Sequence, residues 1–375
     1  MSKFKVEFTL KQHTPIIHFQ SEQSGATLRA TELKPKLDKF LLNKFLLDNV
    51  ENIPYIENAN GHKSLDYKVT IEPNISQRKE IDDKNPLFFG NMKPKDISEQ
   101  EWQKLKKRFK EYTKSFKIEF FSFKPQIIEV LKEYFEAFLA NTNFGTRQSK
   151  GFGSFYIANK KFNKSLIPYK VYSFSSKHWE TDIGLLYQFL RQGINLTKRT
   201  SSPFYTKPAI FAYAKSKGWQ WDKKSIKEEY FDYKLQSQIE EYNSNILIYS
   251  SKNKYLLRDL FGLSSSQEWK SYGKTIEKTH ENIERFKSPI TFKIVDDKVY
   301  FWVNESYKQI LNQKFNIKAG NGNTSLNLST PKEFDFDEFF DFAFSIDLDN
   351  HINNDFHNTK EFKSLKSILN LIRAK

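Results

Sequence analysis

Apolar and polar positions along the first 160 residues fall into an order that can be named. Phe4, Val6, Phe8 and Leu10 alternate with polar residues and predict a half-buried strand. Leu33, Leu37, Phe40, Leu41 and Phe45 recur at helical spacing, so a helix runs from a Thr31 N-cap to Leu47. Leu65, Tyr67, Val69 and Ile71 share one face of a second strand, and Phe116 to Phe123 forms a third. Pro125 suits a first helical turn, after which Ile127, Ile128, Leu131, Tyr134, Phe135 and Phe138 trace a second helix. Phe152 to Ala158 closes the series as a fourth strand. The order is β-α-β-β-α-β, the ferredoxin-like arrangement shared by many RNA-binding modules.

A long polar insertion, residues 72–115, separates the second and third strands. Within Gln103 to Lys117 seven Lys or Arg face one acid, Glu111, and Trp102, Leu105, Phe109 and Tyr112 or Phe116 supply an apolar stripe. This pattern predicts an amphipathic helix, either solvated or turned toward phosphates. The second half predicts a strand over Val171 to Phe174, a helix over Asp182 to Arg191 and a basic loop from Lys198 to Pro208 leading into Ala209 to Lys217. A β-hairpin follows, in which Ser288 to Val295 and Lys298 to Val303 flank Asp296-Asp297. Glu333 to Asp355 interleaves acids with six phenylalanines, as suits a partly buried helix or a surface docked on a basic protein.

The segment NTNFGTRQSKGFGSFY, Asn141 to Tyr156, carries the most specific chemistry. Gly145, Gly151 and Gly153 permit backbone conformations closed to other residues and close approach of a ligand, while Arg147 and Lys150 bring charge to the same turn. Its spacing excludes a P-loop, because Phe152 follows Gly151 where Lys-Ser/Thr is required. A dinucleotide-binding turn is excluded too: a third glycine is missing and the segment leads into a strand instead of opening a helix. A tight helix-to-strand connection with solvated cations is the competing account.

Composition narrows the partner. Sixty Lys and Arg against 45 Asp and Glu give a net charge of +15, which favours a polyanion. Aromatic residues make up 16% of the 375 residues and offer stacking surfaces beyond the core. Cysteine is absent, which removes disulfides, thiolate metal sites and cysteine nucleophiles and fits a reducing cytoplasm. The MSKFKVEF start reads as a strand, and no long apolar run predicts a membrane span. His351 and His357 flank Asp355 at a spacing that matches no familiar metal site, so neither a metal nor another cofactor is expected.

Three motifs together carry a family resemblance: TPII at Thr14 to Ile17, ATLRATELKPKL at Ala26 to Leu37, and GTRQSKGFGS at Gly145 to Ser154. They resemble the RAMP superfamily of CRISPR effector proteins, in which a TP-type loop follows the first strand, an LRA-type segment opens the first helix and a glycine-rich loop precedes the last strand. The chain is most similar to the two-domain subunit that holds the 3′ part of the guide in type III-B (Cmr) complexes, and RFKSPITF at Arg285 to Phe292 resembles an element of that subunit's second half. The resemblance departs at HFQSEQSG, His18 to Gly25, where a glycine cluster is common, and at Lys34-Pro35-Lys36, which replaces an Arg-Gly pair.

The resemblance implies an α+β chain of tandem ferredoxin-like (RRM-like) domains with insertions. The first would span residues 1–160 and a divergent ferredoxin-like or helical one residues 168–375. It implies a non-catalytic subunit whose partners are guide RNA, target RNA and other RAMP subunits. Arg29, Lys34, Lys36, Arg147 and Lys150 would contact phosphates, with Gly145, Gly151 and Gly153 shaping the loop. Arg29 has a second possible role, an internal ion pair with Glu32. Metal-free ribonucleases of the superfamily use a histidine near the first helix, and His13 and His18 occupy that region; alternatively His13 caps the strand end and His18 packs. Residues 11–31 contain no aspartate, so the metal-assisted cut of backbone RAMP subunits is not expected. A scaffold whose basic face binds an acidic protein is the remaining alternative.

Overall fold

The computed structural model describes residues 3–17, 28–47, 55–57, 61, 63–72, 77–80, 98, 100, 109–196, 203–231, 254–269, 273–320 and 324–374. The fold is mixed α+β, and its contacts divide into two units. One comprises Met1–Val171 with Phe292–Tyr300, and the other Tyr172–Thr291 with Phe301–Lys375.

The first unit is built on β1 (Lys5–Gln12), α1 (Ala30–Leu47), β2 (Lys68–Ile71), β3 (Ser115–Phe121), α2 (Pro125–Asn141) and β4 (Phe155–Ile157). Their sheet order, β2-β3-β1-β4, is that of a ferredoxin-like domain. Alternation on β1 is used as the pattern predicts: Val6, Phe8 and Leu10 stand opposite Phe120, Ile118 and Phe116 across the antiparallel pair. Leu33, Leu37 and Leu41 of α1 and Ile127, Leu131, Phe135 and Phe138 of α2 are fully buried against that face. Rings run continuously through this core, from Phe120 to Phe135 (centroids 5.0 Å apart), Phe135 to Phe138 (6.1 Å) and Phe138 to Phe144 (6.0 Å). The last of these rings lies in the glycine-rich segment.

Several expected elements change shape. The helix starts at Ala30 and continues through Pro35; the Arg29 carbonyl accepts the Glu32 and Leu33 amides at its entry. The strand expected over Leu65 to Ile71 is two, Lys63–Leu65 and Lys68–Ile71, because the Tyr67 amide bonds back to the Leu65 carbonyl and turns the chain. β4 has three residues, since Gly151 to Ser154 belong to the turn before it. The amphipathic helix expected over Gln103 to Lys117 is absent from its described part, where Phe109–Tyr112 is a strand paired with Gln77–Glu80 and Ser115 begins β3. Residues 101–108 and His18 lie outside the described residues.

Along the second half of the chain the order β-α-β-β-α recurs: strand Tyr172–Ser175, helix Trp179–Arg191, the hairpin Ile290–Val295 with Lys298–Val303, and helix Lys360–Arg373. The hairpin's turn-side residues, Phe292–Tyr300, are those assigned to the first unit. A separate six-stranded sheet includes Lys274–Thr279, Lys314–Ala319 and Leu326–Ser329. The phenylalanine-rich tail forms helix Phe336–Ser345, capped by the Asp335 carboxylate on the Asp337 and Glu338 amides, with Phe336, Phe339, Phe340 and Phe344 buried. Its acids face outward, so the interleaving expresses an amphipathic helix period. Among the described residues no helix is long and apolar enough to cross a membrane.

Candidate nucleic-acid interface

The glycine-rich segment begins where α2 ends. Gly145, Gly151 and Gly153 have φ of 78°, 89° and 66°, in the left-handed region where a Cβ is penalised. What approaches them is the protein's own backbone. A Cβ on Gly145 would come within 2.5 Å of the Ile17 carbonyl oxygen, and one on Gly153 would overlap the Phe144 carbonyl. The close approach that the glycines permit is thus taken at these two positions by Thr-Pro loop and segment backbone, where the sequence suggested a ligand.

Hydrogen bonds tie the same two stretches together. The Gly153 amide donates to the Pro15 carbonyl (2.9 Å) and the Thr146 amide to the Ile17 carbonyl (2.7 Å). Thr14 Oγ1 donates to the Gly151 carbonyl (2.6 Å) and accepts the Ser154 amide (2.9 Å). Gln12, wholly buried, holds the loop's base by donating to the Thr14 and Glu111 carbonyls and accepting the Thr113 amide. A buried amide satisfied at three points fixes position far more tightly than an exposed one.

Helix α1 braces the loop from the other side. Glu32 Oε1 accepts the Gly145 amide (2.6 Å) and the Lys36 ammonium (2.9 Å). Lys36 Nζ also donates to the Asn143 carbonyl (3.1 Å) and Gln148 Oε1 (3.0 Å), and it lies 4.9 Å from the Phe144 ring centroid. An ammonium has three protons, and Lys36 has three partners within the chain. Its geometry is that of a loop clamp. Lys34 lies on another face of α1, donating to Asp38 and the Leu65 carbonyl (both 2.8 Å) and resting 3.9 Å from the Tyr67 ring centroid. The fold therefore does not bring Lys34 to the glycine turn.

From below, the turn side of the 290–303 hairpin completes the support. Asn143 Nδ2 donates to the Gln148 and Phe292 carbonyls (both 2.7 Å), Phe292 N to the Ser149 carbonyl (3.1 Å) and Ser154 Oγ to the Ile294 carbonyl (2.6 Å). Lys293, with no exposed surface, donates to the Thr142 carbonyl (2.8 Å) and the Phe155 carbonyl (3.0 Å). Burial holds its pKa well below the ordinary lysine value.

Arg147, at φ 56° without being glycine, lies within the turn with its guanidinium Nε and Nη2 buried; its carbonyl accepts the Lys150 amide (2.8 Å). Left-handed backbone at an arginine is unfavourable by about 1 kcal/mol and persists where the surroundings over-determine it. Lys150 Nζ lies 5.8 Å from the Phe292 ring centroid. Arg147, Lys150 and the three glycines thus share one braced turn, with Arg29 half-buried at the start of α1.

His13 belongs to the support. Its side chain is 4% exposed, and Nδ1 accepts the Asp296 amide (3.0 Å) while Lys11 pairs with the Asp296 carboxylate (2.6 Å). Burial lowers the His13 pKa to about 4, with Lys293 and Lys11 adding to the effect and Asp296 opposing it. The ring is neutral at pH 7, with the nitrogen that would take a proton already accepting a hydrogen bond. His351 and His357 are likewise occupied, each with Nε2 on a backbone carbonyl, of Lys207 and Ile352.

Glu32, Gln12, Asn143 and Lys293 do much of the positioning, and the sequence flagged none of them for it. Lys293 alone left a local trace, as a charge in the middle of the apolar run ITFKIV.

A ferredoxin-like unit with a glycine-rich turn braced by a Thr-Pro loop continues into a second α+β unit, and family comparison assigns a chain of this make-up to the RAMP subunits of type III-B CRISPR complexes. The family model described as the Cmr1 N-terminal domain matches residues 3–194, and that of the Cmr1 C-terminal domain matches residues 205–373. The chain belongs to the Cmr1 family, and membership implies a subunit of the type III-B Cmr complex. Among solved structures it matches the apo crystal structure of Cmr1 from Pyrococcus furiosus at 14% identity, covering 81% of this chain and 89% of that one. The TM-score is 0.33. A comparison with curated proteins found no match.

Proposed function

We propose that the chain is a non-catalytic, cytoplasmic RNA-binding subunit that grips the backbone of guide RNA, or of the guide-target duplex, without reading its sequence. The observation that carries this reading is the braced turn: a backbone fixed from three sides holds two half-buried cations, which would swing outward to meet a phosphate chain. Arg29 adds charge at the adjoining helix start. Phosphate contacts of this kind set register and leave sequence choice to base pairing. Other Cmr subunits complete the particle.

The occupied, low-pKa imidazole of His13 favours this reading over guide processing by a metal-free ribonuclease, since a general base must be free to take a proton near neutrality. The test is binding of labelled single-stranded RNA across a salt series. Arg147→Ala with Lys150→Ala should weaken affinity and flatten the log-log salt slope by roughly 1.4, about 0.7 per lost phosphate contact. An unchanged slope would remove the turn from the interface. Specific metal-free cleavage that disappears in His13→Ala would instead restore the nuclease.

A further inference from the structure

The sheet of the first unit has a face turned away from α1 and α2, on which Lys5, Glu7, Thr9, Lys68, Thr70 and Lys117 carry partly or fully exposed side chains. At one end of it stand Phe121 and Phe123. Phe123 is 79% exposed, the highest value among the large apolar side chains of the described residues, and its ring centroid lies 4.9 Å from that of Phe121 in an edge arrangement. Ser122 between them is buried; its amide donates to the Phe4 carbonyl (3.0 Å), and its hydroxyl donates to the Asp66 carbonyl (2.6 Å) and accepts the Lys124 amide (3.1 Å). That anchor fixes the backbone on which both rings stand. Phe121 is flanked in register by Lys5 on β1 and Lys68 on β2.

We propose that Phe123, with Phe121 beside it, is a stacking platform for an unpaired RNA base whose phosphates lie toward Lys68 and Lys5, a contact that rests on the RNA-binding reading above and adds a second site to it. Three features fit a nucleotide. An exposed ring on an anchored backbone offers a π-face that every base can use. Phe121 is the last residue of β3, a central strand, and Phe123 lies two residues beyond it, so the rings stand at one end of a ferredoxin-like sheet, the kind of surface on which open-faced RNA-binding sheets carry stacking aromatics. Lysines on both sides suit phosphate, whereas an apolar protein surface closing over the rings would strip water from those ammonium groups without a counter-charge of its own. Lys5 is held in place by Glu119 (2.6 Å) and Glu7 (2.8 Å), pairs exposed enough to rearrange in solvent.

The full chain is titrated with labelled single-stranded RNA at several salt concentrations. Phe123→Ala should lower affinity roughly tenfold, by the same factor at every salt, because the lost contact is uncharged. Phe123→Leu should lose as much, Phe123→Trp should bind like the parent, and the new indole should be quenched as RNA is added. Matching melting temperatures establish that the variants are folded. If Phe123→Ala and Phe123→Leu bind as the parent does and the indole is unquenched, while Arg147→Ala with Lys150→Ala still weakens binding, the platform is wrong and the turn reading survives. Equal binding loss only in complexes with other subunits, with RNA affinity of the chain unchanged, assigns the rings to a protein and also overturns the proposal. Absence of any RNA binding by the parent chain removes both readings together.

Discussion

The glycine turn and the open face of the same sheet make an instructive pair. The turn has the composition of a ligand cradle, yet the chain itself takes up much of its bonding capacity: Gly145 on Glu32, Gly153 on Pro15, Lys36 on three partners. The face has an ordinary composition, yet leaves a phenylalanine 79% exposed on an anchored strand end. Residue type shows what a segment can bind. The accounting of its hydrogen bonds shows what remains for a partner.

That contrast is sharpest in stability. Gly153→Ala should cost the most, on the order of 4 kcal/mol, because the new methyl meets the Phe144 carbonyl from a φ of 66°. Denaturant unfolding measures it, and a loss below about 1 kcal/mol would mean that the turn yields freely.

His13 ranks next. With a folded pKa of about 4 and an ordinary value of 6.5, it is neutral in both states above pH 6.5. Between 6.5 and 4 the unfolded chain takes the proton first, so stability falls as pH drops, by up to about 3 kcal/mol. His13→Gln should lose that part of the pH dependence when unfolding at pH 7 and pH 4.5 is compared; an equal drop in both proteins would place His13 outside the support.

Lys36→Met should cost about 1–3 kcal/mol through lost bonds to Glu32, Asn143 and Gln148. Hydrogen exchange at the Gly145 amide should accelerate with it, and unaltered protection there would deny Lys36 its clamping role. At the other extreme, Phe123→Ser should leave the melting temperature almost untouched, within about 0.5 kcal/mol. A large fall would make that ring part of the core and erase the contrast.

Local periodicity was enough to read β1, α1, β3 and α2, because each buries one face at its own repeat. The 290–303 hairpin was legible from its alternation and its Asp296-Asp297 turn. What escaped was set by distant partners. Phe109–Tyr112 carries a helical spacing of apolar residues but pairs with Gln77–Glu80, whose short polar strand has no pattern of its own. The candidate residues followed the same division. Arg147, Lys150 and the glycines were found by type and do share a turn, whereas the separation of Lys34 from Lys36 follows from which sides of α1 the sheet and the loop occupy. Nothing near Asn143 or Thr14 announced a bond to a strand 149 residues on or a loop 137 residues on.

The 149 residues between Asn143 and Phe292 are also an interval of time. As the chain leaves the ribosome, α1, α2 and the first sheet are complete by about residue 157, but the carbonyls of Phe292 and Ile294 and the ammonium of Lys293 do not yet exist. Until they are made, the buried Asn143 and Ser154 lack those partners, and the glycine turn is one that synthesis leaves unfinished for well over a hundred residues. The emerging first unit can hold its core early, but its glycine turn matures only when the chain is four-fifths written.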